Sequence, residues 1–192
     1  MKRVLASISV VSALILTACG SSSSTDTTVA SATSQADFNG ADVMFAQMMI
    51  PHHEQAIEMS DMALDPTMGA VDPIRELATQ VKNAQDPEIK QMKDLLEAWN
   101  EPQTADSGVD HSSMMSGMMS SDELTKLGSM MGSEFDTAWA KAMIAHHEGA
   151  IDMANTVLAD GKNSEILILA QEIISSQQTE IDTLKSLISQ AK

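Results

Sequence analysis

The sequence predicts an all-α protein: a four-helix, ferritin-like bundle made of two repeated helical hairpins. Three observations predict it. Apolar residues recur at the i, i+4, i+7 spacing of one helix face, and no stretch alternates as a half-buried strand does. Two segments, Asp42 to Met59 and Asp136 to Met153, share 10 of 18 residues at a constant offset of 94. Each is followed by a second related segment, in which Ile74, Leu77, Gln85, Glu88 and Ile89 correspond to Ile166, Leu169, Gln177, Glu180 and Ile181. A lone hairpin cannot cover its apolar face, but two can cover each other.

The first segment spans about 41–64, with Phe45, Met49, His52, Ala56, Met59 and Ala63 on one face. Asp65-Pro66 ends it, because the residue before proline avoids helical backbone. The second runs from Asp72-Pro73, read as an N-cap followed by proline in the first turn, to about Ala98. Pro87 lies inside it and is expected to kink or break it. The connection, 99–133, is long for a bundle. Its Ser120 and Glu123 have the spacing of a capping box, which opens a short helix to about Met131. The third segment, about 134–159, repeats the first. Gly161 is the expected stop and Asn163 the next cap. The fourth, 164–190, has Thr179 in place of Pro87 and is expected to be straighter.

Residues 1–19 read as a secretory signal, with Lys2 and Arg3 ahead of an apolar run that is too short for a transmembrane helix. It closes on Leu16-Thr17-Ala18-Cys19, which resembles a bacterial lipobox and makes Cys19 the expected lipidation site. Residues 20–37 form a Ser/Thr-rich tether that cannot bury enough apolar surface to fold. The bundle then occupies 38–192: repeat one 41–98, linker 99–133, repeat two 134–190. The expected location is outside the cytoplasm, anchored to the cell envelope by lipid alone.

Loss of Lys2 and Arg3 moves the formal charge from −16 to −18. That surface disfavours nucleic acid and anionic lipid and favours cations. With the only cysteine acylated, no thiol remains for a disulfide, a zinc finger or a nucleophile. No Ser/His/Asp, P-loop or nucleotide-binding motif occurs, so the protein is not expected to be an enzyme.

Sixteen methionines and no tyrosine set the composition apart. Thioether sulfur is a soft ligand that suits Cu(I), although methionine also fills gaps in cores. Four of the five histidines sit in two His-His-Glu triplets. At 100° per residue, Met49 and His53 lie on one edge of the inward face, and His52 and Met59 on the other. Met143 with His147, and His146 with Met153, repeat this. Glu54 and Glu148 fall on the opposite side and should face solvent. A buried histidine is often only a hydrogen-bonded core residue. Two pairs in the same register of a repeat, beside methionines, favour metal ligation instead.

Gln85, Glu88, Gln177 and Glu180 also project inward, opposite the histidines. A carboxylate there can accept the second imidazole N–H and fix a ligand's tautomer, act as a ligand itself, or simply reach water. Met44 and Met48 have no counterpart in the second copy and are weaker candidates. His111, Met114, Met115, Met118 and Met119 lie in the polar linker, where no core demands methionine. They read as a metal-capturing segment, or as an amphipathic helix that caps the bundle.

The pattern Asp-x-x-[Phe/Trp]-x-x-x-Met-Ile-x-His-His-Glu-x-Ala-Ile-x-Met, followed by Gln-x-x-Glu-Ile, resembles domain-of-unknown-function family 305 over about 38–190. The resemblance implies a ferritin-like bundle, secreted or lipid-anchored, with copper binding and copper tolerance in some members. The motif falls on Met49, His52, His53 and Met59, and on Met143, His146, His147 and Met153. The family's methionine on the following helix is Met92 in the first half but Leu184 in the second.

The expected function is therefore an extracytoplasmic metal-binding lipoprotein, with Cu(I) held by His and Met for buffering, tolerance or trafficking. Envelope copper proteins are the natural partners, and other soft or borderline ions are alternative cargoes. A dinuclear oxidoreductase built on the histidines with Glu88 and Glu180 is a second reading. Against it, neither half carries the Glu-x-x-His signature of di-iron bundles. A metal-free envelope interaction module is a third.

Overall fold

The chain was described by a computed structural model, which covers residues 37–105 and 115–190. Helix α1 spans Gly40–Leu64 and opens on a capping box, in which Asn39 accepts from Asp42 N and the Asp42 carboxylate accepts from Asn39 N. A single 3-10 turn, Pro66–Met68, leads to α2, Asp72–Ala98. The short α3 covers Ser121–Gly128, α4 covers Gly132–Asp160 and α5 covers Ser164–Gln190. The described residues contain no strand. The four long helices form the bundle. Helix α1 pairs with α2 and α4 with α5, and the two hairpins meet mainly through α1 and α4.

Local sequence accounts for most boundaries. Ser120 and Glu123 form the expected capping box of α3. Asn163 accepts from Glu165 N and Ile166 N and so caps α5. Two expectations are corrected, one wholly and one in part. Val71, not Asp72, is the N-cap of α2, which puts Asp72 and Pro73 in its first turn. Of the kink or break expected at Pro87, the break does not occur: α2 runs unbroken to Ala98. Pro51 is likewise carried inside α1. Each proline removes one helical hydrogen bond, and packing of the buried faces on either side holds the helices together.

The aspartate that opens each repeat ties its hairpin to the loop of the other. Asp42, fully buried, accepts from the backbone N–H groups of Lys162 and Asn163 in the α4–α5 loop. Asp136 accepts from Val71 N in the α1–α2 loop. Gly161 allows the first contact, because a Cβ there would lie 2.7 Å from Asp42 Oδ1.

The core is not continuous. One apolar cluster gathers Phe45, Met49, Met92, Leu96, Ala154 and Ile166. The other gathers Met59, Leu77, Val81, Trp139, Met143 and Leu184. Read along the helices, the residues between these clusters are the histidines, Gln85, Glu88, Gln177 and Glu180. No helix among the described residues is long and apolar enough to cross a membrane.

Candidate metal centre

All four paired histidines are fully buried at mid-helix. They are inside because the apolar spacing of α1 and α4 carries through positions 52–53 and 146–147 without a break. His52 and His146, equivalent in the two repeats, face each other with ring centroids 3.8 Å apart and planes inclined by 40°. His146 and His147 meet edge-on at 6.4 Å.

Three of the four Nε2 atoms lie close to an oxygen, and Nε2 of His146 has no hydrogen-bond partner among the described residues. His53 Nε2 lies 2.8 Å from Glu88 Oε2. In the second repeat His147 Nε2 lies 2.6 Å from Glu180 Oε2, at ion-pair distance but without the alignment of a hydrogen bond. His52 Nε2 lies 3.3 Å from the Ser116 carbonyl. A carbonyl only accepts, so Nε2 of His52 carries the proton and Nδ1 keeps its lone pair. His53 is poised likewise when it donates Nε2–H to the carboxylate. Nδ1 of all four histidines has no aligned partner on the protein, nor have the amides of Gln85 and Gln177.

Burial keeps the facing pair neutral. It pushes the His52 imidazole from 6.5 to about 3, with repulsion from His53 and His147 adding and the Ser116 carbonyl opposing. His146 is pushed well below its ordinary value by burial first, then by His52, His147 and His53. Neutral imidazole is the form that binds a metal.

Methionine sulfur flanks the layer on both sides, with one contribution from each repeat. Met49 is buried in one cluster and Met153 packs half-buried against it. Met59 and Met143 are buried in the other. Met92 belongs to the first cluster, and Leu184 takes the matching place in the second. Glu54 and Glu148 are exposed and face Lys93 and Lys185, at 2.8 Å and 3.5 Å.

The linker returns across this layer, which the sequence did not suggest. Gln55 clasps Met119 through two hydrogen bonds, Nε2–H to Met119 O at 2.8 Å and Met119 N–H to Oε1 at 2.7 Å. Gly149, the counterpart of Gln55, lets the strap lie on α4, since a Cβ there would collide with the Ser116 carbonyl. A Cβ on Gly117, at φ +83°, would likewise collide with the Ala145 carbonyl, at 2.1 Å. Met119 is half-buried against the second cluster, so at least one linker methionine serves packing, which corrects the expectation that no core demands it. Met115 and Met118 are half-buried. His111, Met114, Cys19 and the signal and tether segments lie outside the described residues. The only sequence signal for the strap was the Gln55/Gly149 mismatch in an otherwise close repeat.

Among the described residues, no three His, Asp or Glu side chains are arranged as a metal cage. Imidazole in the layer and thioether in the flanking clusters are side chains of the kind that suit a soft monovalent ion such as Cu(I). The buried Nδ1 atoms, which have no aligned partner on the protein, fit the same ion.

Comparison with known proteins agrees with this architecture. A DUF305 protein from Streptomyces coelicolor superposes with TM-score 0.72 at 28% identity, covering 79% of this chain and 93% of that one. A DUF305 fragment from Deinococcus radiodurans gives 0.70 at 28%, covering 79% and 97%. CopM in its Cu(I)-bound form gives 0.65 at 30%, covering 78% and 96%, and CopM is also known in Cu(II)- and Ag-bound forms. No curated protein matches. The family model described as domain of unknown function (DUF305) matches residues 42–188, and the chain belongs to that family.

Proposed function

We propose that this protein is an extracytoplasmic copper-binding lipoprotein that holds Cu(I) in its histidine layer for buffering, tolerance or trafficking, without catalysing a reaction. The observation that carries the reading is the facing, neutral His52–His146 pair, with open nitrogens between two methionine-bearing clusters. His52, His53, His146 and His147 are the nitrogen donors. Met49, Met59, Met143 and Met153 are the available sulfurs. Glu88 and Glu180 orient His53 and His147. The copper- and silver-bound forms of CopM support the choice of metal. The Streptomyces coelicolor relative, named as a candidate secreted protein, supports the location. The lipobox-like Cys19 supplies the anchor.

The test is an anaerobic Cu(I) titration against a competing chelator, with all four paired histidines changed to Ala in parallel. Tight binding that is lost in the variant supports the layer as the site. Binding that persists moves it to the linker, and no binding removes the copper reading.

A second reading, a dinuclear oxidoreductase, is favoured by one feature: a carboxylate stands beside a histidine in each half. Retained iron with a visible charge-transfer band would select it.

A further inference from the structure

A groove of about 570 Å3 opens beside the histidine layer, between α1 and α4. Its walls include Met44, Met48 and Met153, and Ser116 of the strap closes one part of it. Met44, Met48 and His52 are spaced four residues apart on α1, so they follow one another along one face at about 6 Å intervals. Their exposures fall in the same order, 37%, 4% and 0%. Soft donors thus descend from solvent to the buried imidazole in steps of one turn. Met153 faces them from α4, seven residues and two turns beyond His146. Asp152 and Asp160, also in the wall, give the groove a negative charge that draws cations.

The repeat sharpens the point. The counterparts of Met44 and Met48 are Ala138 and Ala142, and there Met119, Leu124 and Leu127 from the strap and α3 join the apolar cluster. On that side the strap and α3 pack against the cluster, whereas the open groove carries the added methionines. Packing does not require Met44, which is among the few exposed large apolar side chains.

We propose that the open groove is a thioether entry site, in which Met44, Met48 and Met153 take a soft monovalent cation from solvent and pass it to His52. The proposal rests on the reading that the histidine layer is the final metal site. Transfer between neutral thioether and imidazole donors needs no change of oxidation state and no proton release.

The test follows Ag(I), which has no redox chemistry here, in protein labelled at the methionine methyls and histidine nitrogens. Resonances are assigned by single substitution. The expected result is a shift of Met44, Met48 and Met153 methyls at low Ag(I), followed or accompanied by the His52 and His146 nitrogens. In the Met44→Leu/Met48→Leu variant, which keeps the apolar volume, silver should reach the histidines several-fold more slowly in stopped-flow exchange from a chelator, with unchanged melting. Histidine shifts without groove methyl shifts, or an unchanged uptake rate in the variant, overturn the entry site alone. Methyl shifts with silent histidines overturn the underlying reading as well, because the ion then stops in the groove.

Discussion

His52 and His146 occupy the same position in the two repeats, and their rings lie 3.8 Å apart at the centre of the bundle. The internal symmetry of the sequence thus brings two identical donors together in space. Both are neutral, both are buried, and both keep Nδ1 without an aligned partner on the protein. A buried polar atom left in that state costs about 1–3 kcal/mol. Such a layer works against the stability of the metal-free protein.

Replacing the facing pair by leucine should therefore stabilise the metal-free protein. His52→Leu/His146→Leu removes the open nitrogens and would join the two apolar clusters into one. Each kcal/mol gained should raise the melting temperature by about 2–4 °C for a chain of this size. Calorimetry with and without Ag(I) checks both halves of the expectation: a higher melting point than wild type, and no further rise on adding metal. A lower melting point would mean that the imidazoles hold the bundle together.

The pH dependence of the metal-free protein has a definite sign. In the fold, His52 stays neutral down to about pH 3, whereas its ordinary value is 6.5. Between these values the unfolded chain binds the additional proton, so stability rises with pH across that window and is lost as pH falls through it. One such site contributes a slope of about 1.4 kcal/mol per pH unit. His146 acts in the same direction. Thermal unfolding should move to lower temperature between about pH 6.5 and pH 5, a range in which the slope of a depressed histidine is felt. A melting point that does not move would show that the pair is not held neutral.

The strap gives a prediction of a different kind. Gly149→Ala places a Cβ against the Ser116 carbonyl, and both are main-chain positions with little room to yield. Segment 115–120 should lift from α4 and expose His52 Nε2, while the helices stay intact. Hydrogen exchange at Met119 N, now bonded to Gln55, should quicken, and bound Ag(I) should leave faster. Gln55→Ala should do the same from the other side of the strap. Global melting is expected to change little in either variant. Equal loss of helical and strap protection would mean that the strap is part of the folding core.

Much of this arrangement was legible in the sequence. The 3.6-residue periodicity placed both histidines of each pair inward and Glu54 and Glu148 outward, because a helix leaves a side chain little choice of face. The repeat implied two hairpins that cover each other. The strap was not legible, since its docking depends on a missing Cβ at Gly149 and an amide at Gln55, which read as ordinary divergence between copies. Helix α2 continues through Pro87 because local preference is outweighed by burial of Gln85, Ile89 and Met92 around it. Met48 was undervalued for having no counterpart, yet that asymmetry is what leaves one groove open and lined with sulfur. Asp42 and Asp136 were read as part of the motif without a role. Their partners lie on the other hairpin, which no local pattern displays.

Glu88 offers the sharpest separation of metal binding from folding. It accepts from His53 Nε2 and so holds the ring with Nδ1 turned away from the carboxylate. Glu88→Gln keeps the size and a polar group, but it no longer favours a proton on Nε2 through charge. Loss of such an orienting partner typically weakens a metal site by about 10–100-fold. Glu180→Gln should have a similar effect on His147, to which it lies at 2.6 Å. Chelator competition with Cu(I) measures the change, and circular dichroism during melting reports on the fold. If the histidines are ligands, affinity should fall in both variants while the melting point of the metal-free protein changes little. Unchanged affinity with a lower melting point would instead make the two carboxylates partners of structural histidines, and would place the metal donors elsewhere in the chain.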